Sequence, residues 1–427
     1  MPRNLIPILL ISLVFLLSPA VSASEIPVQW GTGPDGTFVT FIAEDTTFRS
    51  PQVHDIIGDP AGEVLFATSG GLAFYNGSWT IWHPDLSIVN TSRTLLQDTI
   101  LSLEYDSVGR LWIGYGNGIQ IWNGQYFTTV DDAQLLKDRQ ILSLQRWNDT
   151  MWIGTGHSGI HRYSDSTGWT WYQPFEEGGA NFYQVDSIAQ DPASNTLFLV
   201  THGNGPWQIR GDPSGTVEFV SLTTPSQTYH SLSQVKQDPL GGVYFSDTNR
   251  VVHYQTDTGF IPVLSAENLS KPLVPEIEDV ETLPDAVLVI ATDRGIYFWQ
   301  DGGVIDHIYG FAAAGAGSDD IDTLFLDSSG RLWFAGQGVI GYYQSDRTKL
   351  PTISVESPEP TITWQVQTLD QGSEEASPTV TYGTYATRAE PAISSENQNP
   401  VLVSIGTFFE NIGIWFGNLL SPNHGTA

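Results

Sequence analysis

The chain repeats one unit seven times between Val53 and Tyr343, and this repetition constrains the fold more than any other feature of the sequence. Each copy has a short alternating run, a turn, a nearly continuous apolar run and a glycine-rich turn into another alternating run. Successive copies begin about 45 residues apart, which is the length of a four-stranded propeller blade. The copies begin at Val53, Ile100, Ile141, Val185, Leu232, Ile277 and Ile321.

The second copy shows how one unit divides into strands. A turn from Asp106 to Gly109 follows the first strand, because Asp accepts hydrogen bonds from its own turn and Gly tolerates a positive φ. The next run is apolar throughout, as expected for a strand buried between two neighbouring sheets. The strands of this copy are predicted over residues 100–105, 111–114, 119–122 and 126–130.

The third residue of the first predicted strand is polar or small in every copy. Innermost strands crowd around the axis of a propeller, so these side chains are predicted to fit that geometry rather than to perform chemistry. The residues are Asp55, Ser102, Ser143, Ser187, Gln234, Asp279 and Thr323.

The two ends of the repeat array indicate how the ring closes. The seventh copy has no fourth strand before the proline-rich region near Pro351, while an unassigned alternating segment begins upstream at Gly36. We predict that this N-terminal strand becomes the outer strand of the last blade, which removes exposed sheet edges. The predicted fold is an all-β, seven-bladed β-propeller of four-stranded antiparallel blades within residues 24–350.

The segments outside the propeller are predicted to be a leader and a tail. Residues 1–23 have the basic start, apolar core and small-residue cleavage site of a secretory signal peptide. Residues 351–400, rich in Pro, Ser, Thr and Glu, are predicted to be a disordered linker. Residues 401–420 have an apolar stripe at helical spacing and are predicted to dock on the propeller, a partner or a membrane surface, with a marginal membrane anchor as the alternative. Residues 421–427 form a short tail.

Charge and cysteine content restrict the classes of function. The net charge of -30 argues against electrostatic binding to nucleic acid or to anionic membranes. The sequence contains no cysteine, so a secreted protein of this kind is predicted to be stabilised by packing rather than by disulfides.

Loop length gives the main functional signal. The connections between blades are long, and in a propeller they lie on the same face as the turns between second and third strands. We call this the long-loop face, and we predict that it binds a small ligand, a glycan or a protein, because long loops on a rigid scaffold commonly carry recognition. No cofactor is predicted, although a cation in the central funnel remains open. The long connections span residues 83–99, 131–140, 173–184, 265–276 and 309–320.

The candidate binding residues lie where the copies differ from one another. The second residue of each first strand is predicted to lie on the inner rim of the long-loop face. Three acids and a histidine there could hold a cation or a polar ligand, although ordinary solvation explains them equally well. These rim residues are His54, Asp186, Ser233, Glu278 and Asp322; further candidates are His157 and His202, in equivalent turns of adjacent copies, and Arg294.

Several motifs are interpreted as structural. The segment G-T-G-H-S-G from Gly154 matches a dinucleotide fingerprint, but a strand rather than a helix follows it. Asp106 and Asp327 are interpreted as turn residues. The sequence has no H-E-x-x-H or G-x-S-x-G pattern, and no catalytic residue is predicted. The tryptophans predicted to lie in the core are Trp112, Trp152 and Trp333.

The consensus I-x-S-L-x-x-D-x-x-G-x-L-W-I-G-T-x-x-G-I resembles the two-component-regulator propeller repeat. The resemblance covers residues 53–343, is best at 111–114, 151–155 and 332–334, and weakens in copies four to six. It implies a relation to the extracytoplasmic sensor parts of hybrid histidine kinases. D-x-x-G-x-L-W also resembles the Asp-box of sialidase-like propellers, where the motif is a structural hairpin.

The function predicted from these features is non-enzymatic binding by a secreted or cell-surface propeller, as a sensor or a surface-interaction module. One alternative is a propeller enzyme similar to the streptogramin lyases, acting on a glycan or a cyclic peptide. Such an enzyme would need a general acid/base pair on the funnel, such as His157 or His202 beside Glu278. A second alternative is a structural envelope component held by its tail.

Overall fold

A computed structural model of the chain describes residues 28–33, 36–42, 50, 52–59, 61–85, 87, 91–130, 136, 140–175, 182–223, 229–311 and 318–345. The predicted signal peptide, linker, apolar segment and tail lie outside these residues. Within the described residues, no helix is long and apolar enough to cross a membrane.

The described residues form seven antiparallel sheets and two short 3₁₀ turns, Thr91–Arg93 and Ala266–Asn268. The N-terminal strands and those of blades 1 to 3 are β1 (Val28–Gly33), β2 (Gly36–Ile42), β3 (Val53–Gly58), β4 (Val64–Thr68), β5 (Gly71–Tyr75), β6 (Trp79–Trp82), β7 (Ile100–Tyr105), β8 (Leu111–Tyr115), β9 (Gly118–Trp122), β10 (Phe127–Val130), β11 (Ile141–Trp147), β12 (Thr150–Thr155), β13 (Ile160–Ser164) and β14 (Gly168–Tyr172). Those of blades 4 to 7 are β15 (Val185–Asp191), β16 (Thr196–Thr201), β17 (Gly205–Gly211), β18 (Val217–Ser221), β19 (Gln234–Gln237), β20 (Val243–Asp247), β21 (Arg250–Gln255), β22 (Gly259–Ser265), β23 (Ile277–Thr282), β24 (Leu288–Thr292), β25 (Gly295–Gln300), β26 (Gly303–Ile308), β27 (Ile321–Leu326), β28 (Arg331–Gly336) and β29 (Val339–Ser345).

The fold is the predicted seven-bladed β-propeller, and its ring closes as predicted. In the last blade, β2 pairs antiparallel with β29, from Gly36 opposite Ser345 to Ile42 opposite Val339. One detail differs from the prediction, since this blade has five strands in the order β1-β2-β29-β28-β27. The extra strand β1 forms a hairpin with β2, and its sequence V-Q-W-G-T-G alternates too weakly to have been assigned as a strand.

The core lies between the blades. Seven apolar clusters occur, one at each boundary between adjacent blades, and each combines residues of both. Trp333 of β28 packs edge-on against Phe66 and Tyr75 of blade 1, with ring centroids 5.4 and 5.1 Å apart. Trp112, Trp152 and Trp333 have no exposed surface, which confirms their prediction as core residues.

Asp106 and Asp327 organise their D-x-x-G turns from within. The Oδ1 atom of Asp327 accepts the backbone N–H groups of Ser329 and Arg331, both at 2.9 Å. Its Oδ2 atom accepts Nε of Arg331 at 2.8 Å and Nε1 of the buried Trp333 at 2.9 Å. Asp106 makes the same four contacts in blade 2. Their interpretation as turn residues is confirmed.

Replacing Asp327 by alanine should destabilise the propeller by about 2–4 kcal/mol, because the indole N–H of Trp333 would lose its acceptor inside the core. The measurement is urea unfolding followed by tryptophan fluorescence. Asp257→Ala, in an exposed turn of blade 5, is the matched control and should change the stability by less than about 0.5 kcal/mol. Equal effects of the two substitutions would contradict this role.

Neighbouring blades approach each other most closely at a glycine of the second strand. A Cβ atom on Gly154 would lie 2.8 Å from Cγ1 of Val185 in the next blade and would also overlap Oγ of Ser143. The glycine of the G-T-G-H-S-G segment is therefore needed for blade packing. The segment itself is a turn between two strands, β12 and β13, as predicted.

Gly154→Ala should therefore destabilise the protein by about 1–3 kcal/mol through overpacking. Gly303→Ala provides the comparison, because a Cβ atom there meets nothing within 4 Å. Thermal unfolding of both variants beside the parent chain tests the difference. If Gly154→Ala unfolded at the parent's temperature, the blades would not pack as closely as described.

Candidate functional site

A cavity of about 660 Å³ lies at the centre of the ring and is lined by the seven first strands. These innermost strands have no neighbour on the axis side, so some of their backbone N–H groups need partners other than a sheet ladder. The side chains of the preceding blade provide several of these partners.

Three of the polar third residues of the first strands, Asp55, Ser187 and Asp279, form hydrogen bonds with the next blade. Oδ2 of Asp55 accepts the N–H of Leu103 at 2.8 Å, and Oδ2 of Asp279 accepts that of Leu324 at 2.8 Å. Ser187 makes the corresponding contact at 3.1 Å by donating its hydroxyl to the carbonyl of Val235. These residues were predicted to fit the crowded axis, and the structure adds that they join adjacent blades.

Further charged side chains reach into the cavity, each from the fifth residue of its repeat copy. Glu104 accepts the N–H of Tyr105 at 2.9 Å and that of Arg146, in the next blade, at 3.4 Å. Nζ of Lys236 donates to Oδ2 of Asp279 and to the carbonyl of Leu324, both at 2.9 Å, and so connects blades 5, 6 and 7. The cavity wall is therefore a polar network with a structural role.

Burial moves the pKa values of the acids in this network towards neutral pH. Burial raises the pKa of Asp55 to about 6, against the lowering effect of the Leu103 N–H, and raises the pKa of Glu281 and of Glu104 to about 7. Burial alone would lower the pKa of Lys236, but the carboxylates of Asp279 and Glu281 raise it above its usual value. The lysine stays charged at neutral pH, while the three acids take up protons as the pH falls.

These raised pKa values make the stability of the folded chain depend on pH. Unfolded Asp and Glu lose their protons near pH 4, whereas these buried acids lose theirs near pH 6–7, so the folded chain binds more protons in between. The free energy of unfolding should therefore fall as the pH rises from about 4.5 to 7. Asp327 differs from these acids, because its hydrogen bonds lower its pKa despite burial. Its contribution to the free energy of unfolding is therefore lost only in more acidic solution.

We expect the unfolding temperature to be higher at pH 5 than at pH 8. Glu281→Gln should flatten this dependence, by on the order of 1–3 kcal/mol across the range, because the neutral amide does not titrate. Glu218→Gln, on the exposed outer strand β18, should leave the slope as it is. Calorimetry at pH 5, 6, 7 and 8 measures the unfolding temperature. An unfolding temperature that rises with pH would contradict the raised pKa values of the buried acids.

Four of the five predicted rim residues line this cavity: His54, Asp186, Ser233 and Asp322. Nε2 of His54 is 2.7 Å from Oγ of Ser69, and burial lowers the pKa of the histidine, so it adds little positive charge at neutral pH. Glu278 is close enough to Asp322 for the two charges to interact. The convergence of these side chains is as predicted, and ligand binding by them stays a prediction.

Repulsion between carboxylates is concentrated where blades 6 and 7 meet. Burial and then the charges of Asp320, Asp322, Glu276 and Asp293 raise the pKa of Glu278 to about 7. Burial and Asp320 raise the pKa of Asp322 to about 6. Among the described residues, no hydrogen bond or ion pair reaches the carboxylate of Glu278 or Asp322, in contrast to the acids of the cavity wall.

Sequence reasoning missed three acids of this group: Glu276, Asp293 and Asp320. A signal for two of them was present, because Glu-Ile-Glu at 276–278 and Asp-Ile-Asp at 320–322 place acids two residues apart at the entry of β23 and β27. Asp293 gave no such signal, since it lies in the β24–β25 turn and reaches the group only through the fold. Its Oδ1 atom accepts the N–H of Glu276 at 2.8 Å.

Two of the remaining candidates, His202 and His157, lie in blades 4 and 3, whereas Arg294 lies beside Asp293 of the acidic group. Nδ1 of His202 is 3.9 Å from Oδ2 of Asp186 in blade 4, and its side chain is 76% exposed. His157 is exposed in the β12–β13 turn. Nε of Arg294 is 3.7 Å from Oδ2 of Asp293. The charges that raise the pKa of Glu278 come from carboxylates, and neither His157 nor His202 is among the groups that shift it.

A metal centre is not apparent in the described part of the propeller. No group of three or more His, Asp or Glu side chains there is arranged to hold a metal ion. The acids of blades 6 and 7 therefore differ from a set of metal ligands, although they concentrate negative charge at one point of the rim.

No known family profile matches the sequence, and no curated relative matches it. Similar solved structures exist. One is the extracellular domain of BT4673 from B. thetaiotaomicron, described both as a one-component and as a hybrid two-component system, with 18% identity and a TM-score of 0.56 over 73% of this chain. The match covers 40% of that chain, so the present chain spans about two fifths of its length.

Two further similar structures have different roles. A streptogramin B lyase has 14% identity and a TM-score of 0.56 over 74% of this chain and 99% of its own. PorZ, a surface component of the type-IX secretion system of Porphyromonas gingivalis, has 12% identity and a TM-score of 0.53 over 73% of this chain and 51% of its own. At these identities the likeness establishes a shared propeller fold, while function must be argued from the site.

Proposed function

We propose that this protein is an extracytoplasmic recognition module that binds its ligand at the cavity mouth on the long-loop face. The observation that carries the proposal is the difference between two sets of acids. Acids of the cavity wall accept hydrogen bonds from the next blade, whereas Glu278 and Asp322 at the mouth have no described partner and repel each other's charge.

Such an arrangement is unfavourable for the isolated propeller. Burial and, after it, the neighbouring like charges make the ionised carboxylates costly, and the raised pKa values of Glu278 and Asp322 reflect both causes together. A ligand that brought positive charge or hydrogen-bond donors to the mouth would relieve the repulsion. Clefts in which several titratable groups have perturbed pKa values are therefore candidates for binding sites.

The proposed location rests on the leader-like N-terminus and on the likeness to extracellular and surface propellers. In this proposal the propeller is the sensing or attaching part of the molecule, and the segment 401–420 holds it to a partner or to the envelope. The resemblance to the two-component-regulator repeat makes sensing the more specific form of the proposal.

The proposal can be tested with a thermal-shift screen of the full chain against amines, amino acids, oligosaccharides and short peptides. Compounds that raise the unfolding temperature should bind at least tenfold more weakly to the Asp322→Asn and Asp186→Asn variants, since both side chains line the cavity. Asp257→Asn, in an exposed turn of blade 5, should bind as the parent does. Ligands that bind all variants equally would place the site elsewhere.

A further inference from the structure

Three exposed apolar side chains lie in the connections that lead into and out of blade 6. Leu273 and Tyr309 are 61% and 66% exposed, and Val274 is 41% exposed. Leu273 and Val274 precede β23, whereas Tyr309 follows β26, so both long connections that flank the blade contribute. Together with Glu278, Asp320 and Asp322 we call them the blade-6 surface.

Tyr309, the aromatic residue of this surface, is held in place by a column of rings. The ring of Tyr297 stacks on His307 with centroids 3.7 Å apart, and His307 stacks on Tyr309 at 4.7 Å. Nε2 of His307 is 2.9 Å from the carbonyl of Arg294, which connects the column to the β24–β25 turn. Tyr309 therefore offers a fixed aromatic surface, and rigid aromatics of this kind are frequent anchors in protein interfaces.

The charge of the surface selects the kind of partner. Burial lowers the pKa of His307, so the ring column is neutral at pH 7. Two cations in the flanking segments lie beside other carboxylates: Lys271 is 3.2 Å from Glu267, and Nε of Arg294, which makes no hydrogen bond to a described residue, is 3.7 Å from Asp293. The carboxylates of Glu278, Asp320 and Asp322 are thus left to attract a positive group, and an exposed tyrosine ring is a favourable neighbour for such a group.

We propose that the blade-6 surface docks a segment of a partner protein that carries lysine or arginine beside an apolar side chain. This inference rests on the proposed function and specifies its partner. Positive side chains would enter the mouth towards Glu278 and Asp322, while apolar side chains would cover Leu273, Val274 and Tyr309. A small inorganic cation would leave this apolar area in water, and the described acids are not arranged as metal ligands.

The test uses the full chain and fluorescein-labelled peptides measured by anisotropy at two salt concentrations. The probe is Gly-Ser-Arg-Leu-Lys-Leu-Arg-Ser-Gly, with one control peptide in which Glu replaces the basic residues and another in which Ser replaces leucine. We expect the probe to bind at least tenfold more tightly than either control, and more weakly at high salt. Equal binding of the probe and the Ser-substituted peptide would overturn the proposal, because charge alone would then account for it.

Variants locate the binding. The double substitution Glu278→Gln with Asp322→Asn, and separately Leu273→Ser with Tyr309→Ser, should each weaken probe binding at least tenfold. The matched controls are Glu218→Gln with Asp257→Asn for charge, and Val108→Ser for exposed apolar area; both should bind as the parent does. Glu278→Gln should unfold at or above the parent's temperature at pH 8, since it removes a repelled charge, so loss of binding would not reflect misfolding.

The inference and the proposed function can fail separately. If small ligands from the screen bind in a way that depends on Asp322 and Asp186 while the probe does not bind, the docking inference is wrong and the recognition site stands. If the probe binds equally to the parent and to both blade-6 variants, the binding is a general property of an acidic protein and the inference is wrong.

Discussion

The structure depends on closing a ring of seven sheets, none of which can bury both of its faces alone. The pairing of β2 with β29 closes it, because this pairing brings blade 7 against blade 1 and completes the last of the seven interblade clusters. With closure, the central strand of every blade is covered on both faces, which is why the second strands read as continuous apolar runs. The protein has no cysteine, so this packing has to provide the stability that disulfides provide in many secreted domains.

Closure also creates the features on which function rests. Seven innermost strands turn one edge towards the axis, and their backbone groups have to be satisfied by side chains of neighbouring blades. Asp55, Asp279 and Glu104 perform this role, and Lys236 links three blades across the cavity. Glu278 and Asp322 lie on the same scaffold, and no described side chain or backbone group is a partner of their carboxylates. The same residue types are therefore structural inside the cavity and available for binding at its rim.

Repetition made most of this architecture predictable from the sequence. Blade number, strand order, the closing N-terminal strand and the turn role of Asp106 and Asp327 follow from periodicity and local turn chemistry, and the structure confirms them. The fifth strand β1 was missed because its short segment alternates weakly and has no counterpart in the other copies. The contact of Asp55 with Leu103 could not be predicted, since it depends on the stagger between adjacent sheets.

The candidate site was only partly predictable for a similar reason. A position within the repeat predicts which end of the ring a residue occupies, so His54, Asp186 and Asp322 were placed on one rim. It does not predict which rim residues lie close enough to repel one another, and Asp293 joins Glu278 only through the fold. Nor does it predict that His202 lies beside Asp186, with Nδ1 and Oδ2 3.9 Å apart.

The central claim is that the propeller gives Glu278 and Asp322 no described hydrogen-bond or ion-pair partner, so that burial and neighbouring carboxylates oppose their ionisation. The most direct measurement is a ¹³C NMR titration of the Glu278 carboxyl in the full chain, with the resonance assigned by its loss in Glu278→Gln. The account predicts a pKa of about 7. Titration near 4.3, as for an ordinary exposed glutamate, would contradict it.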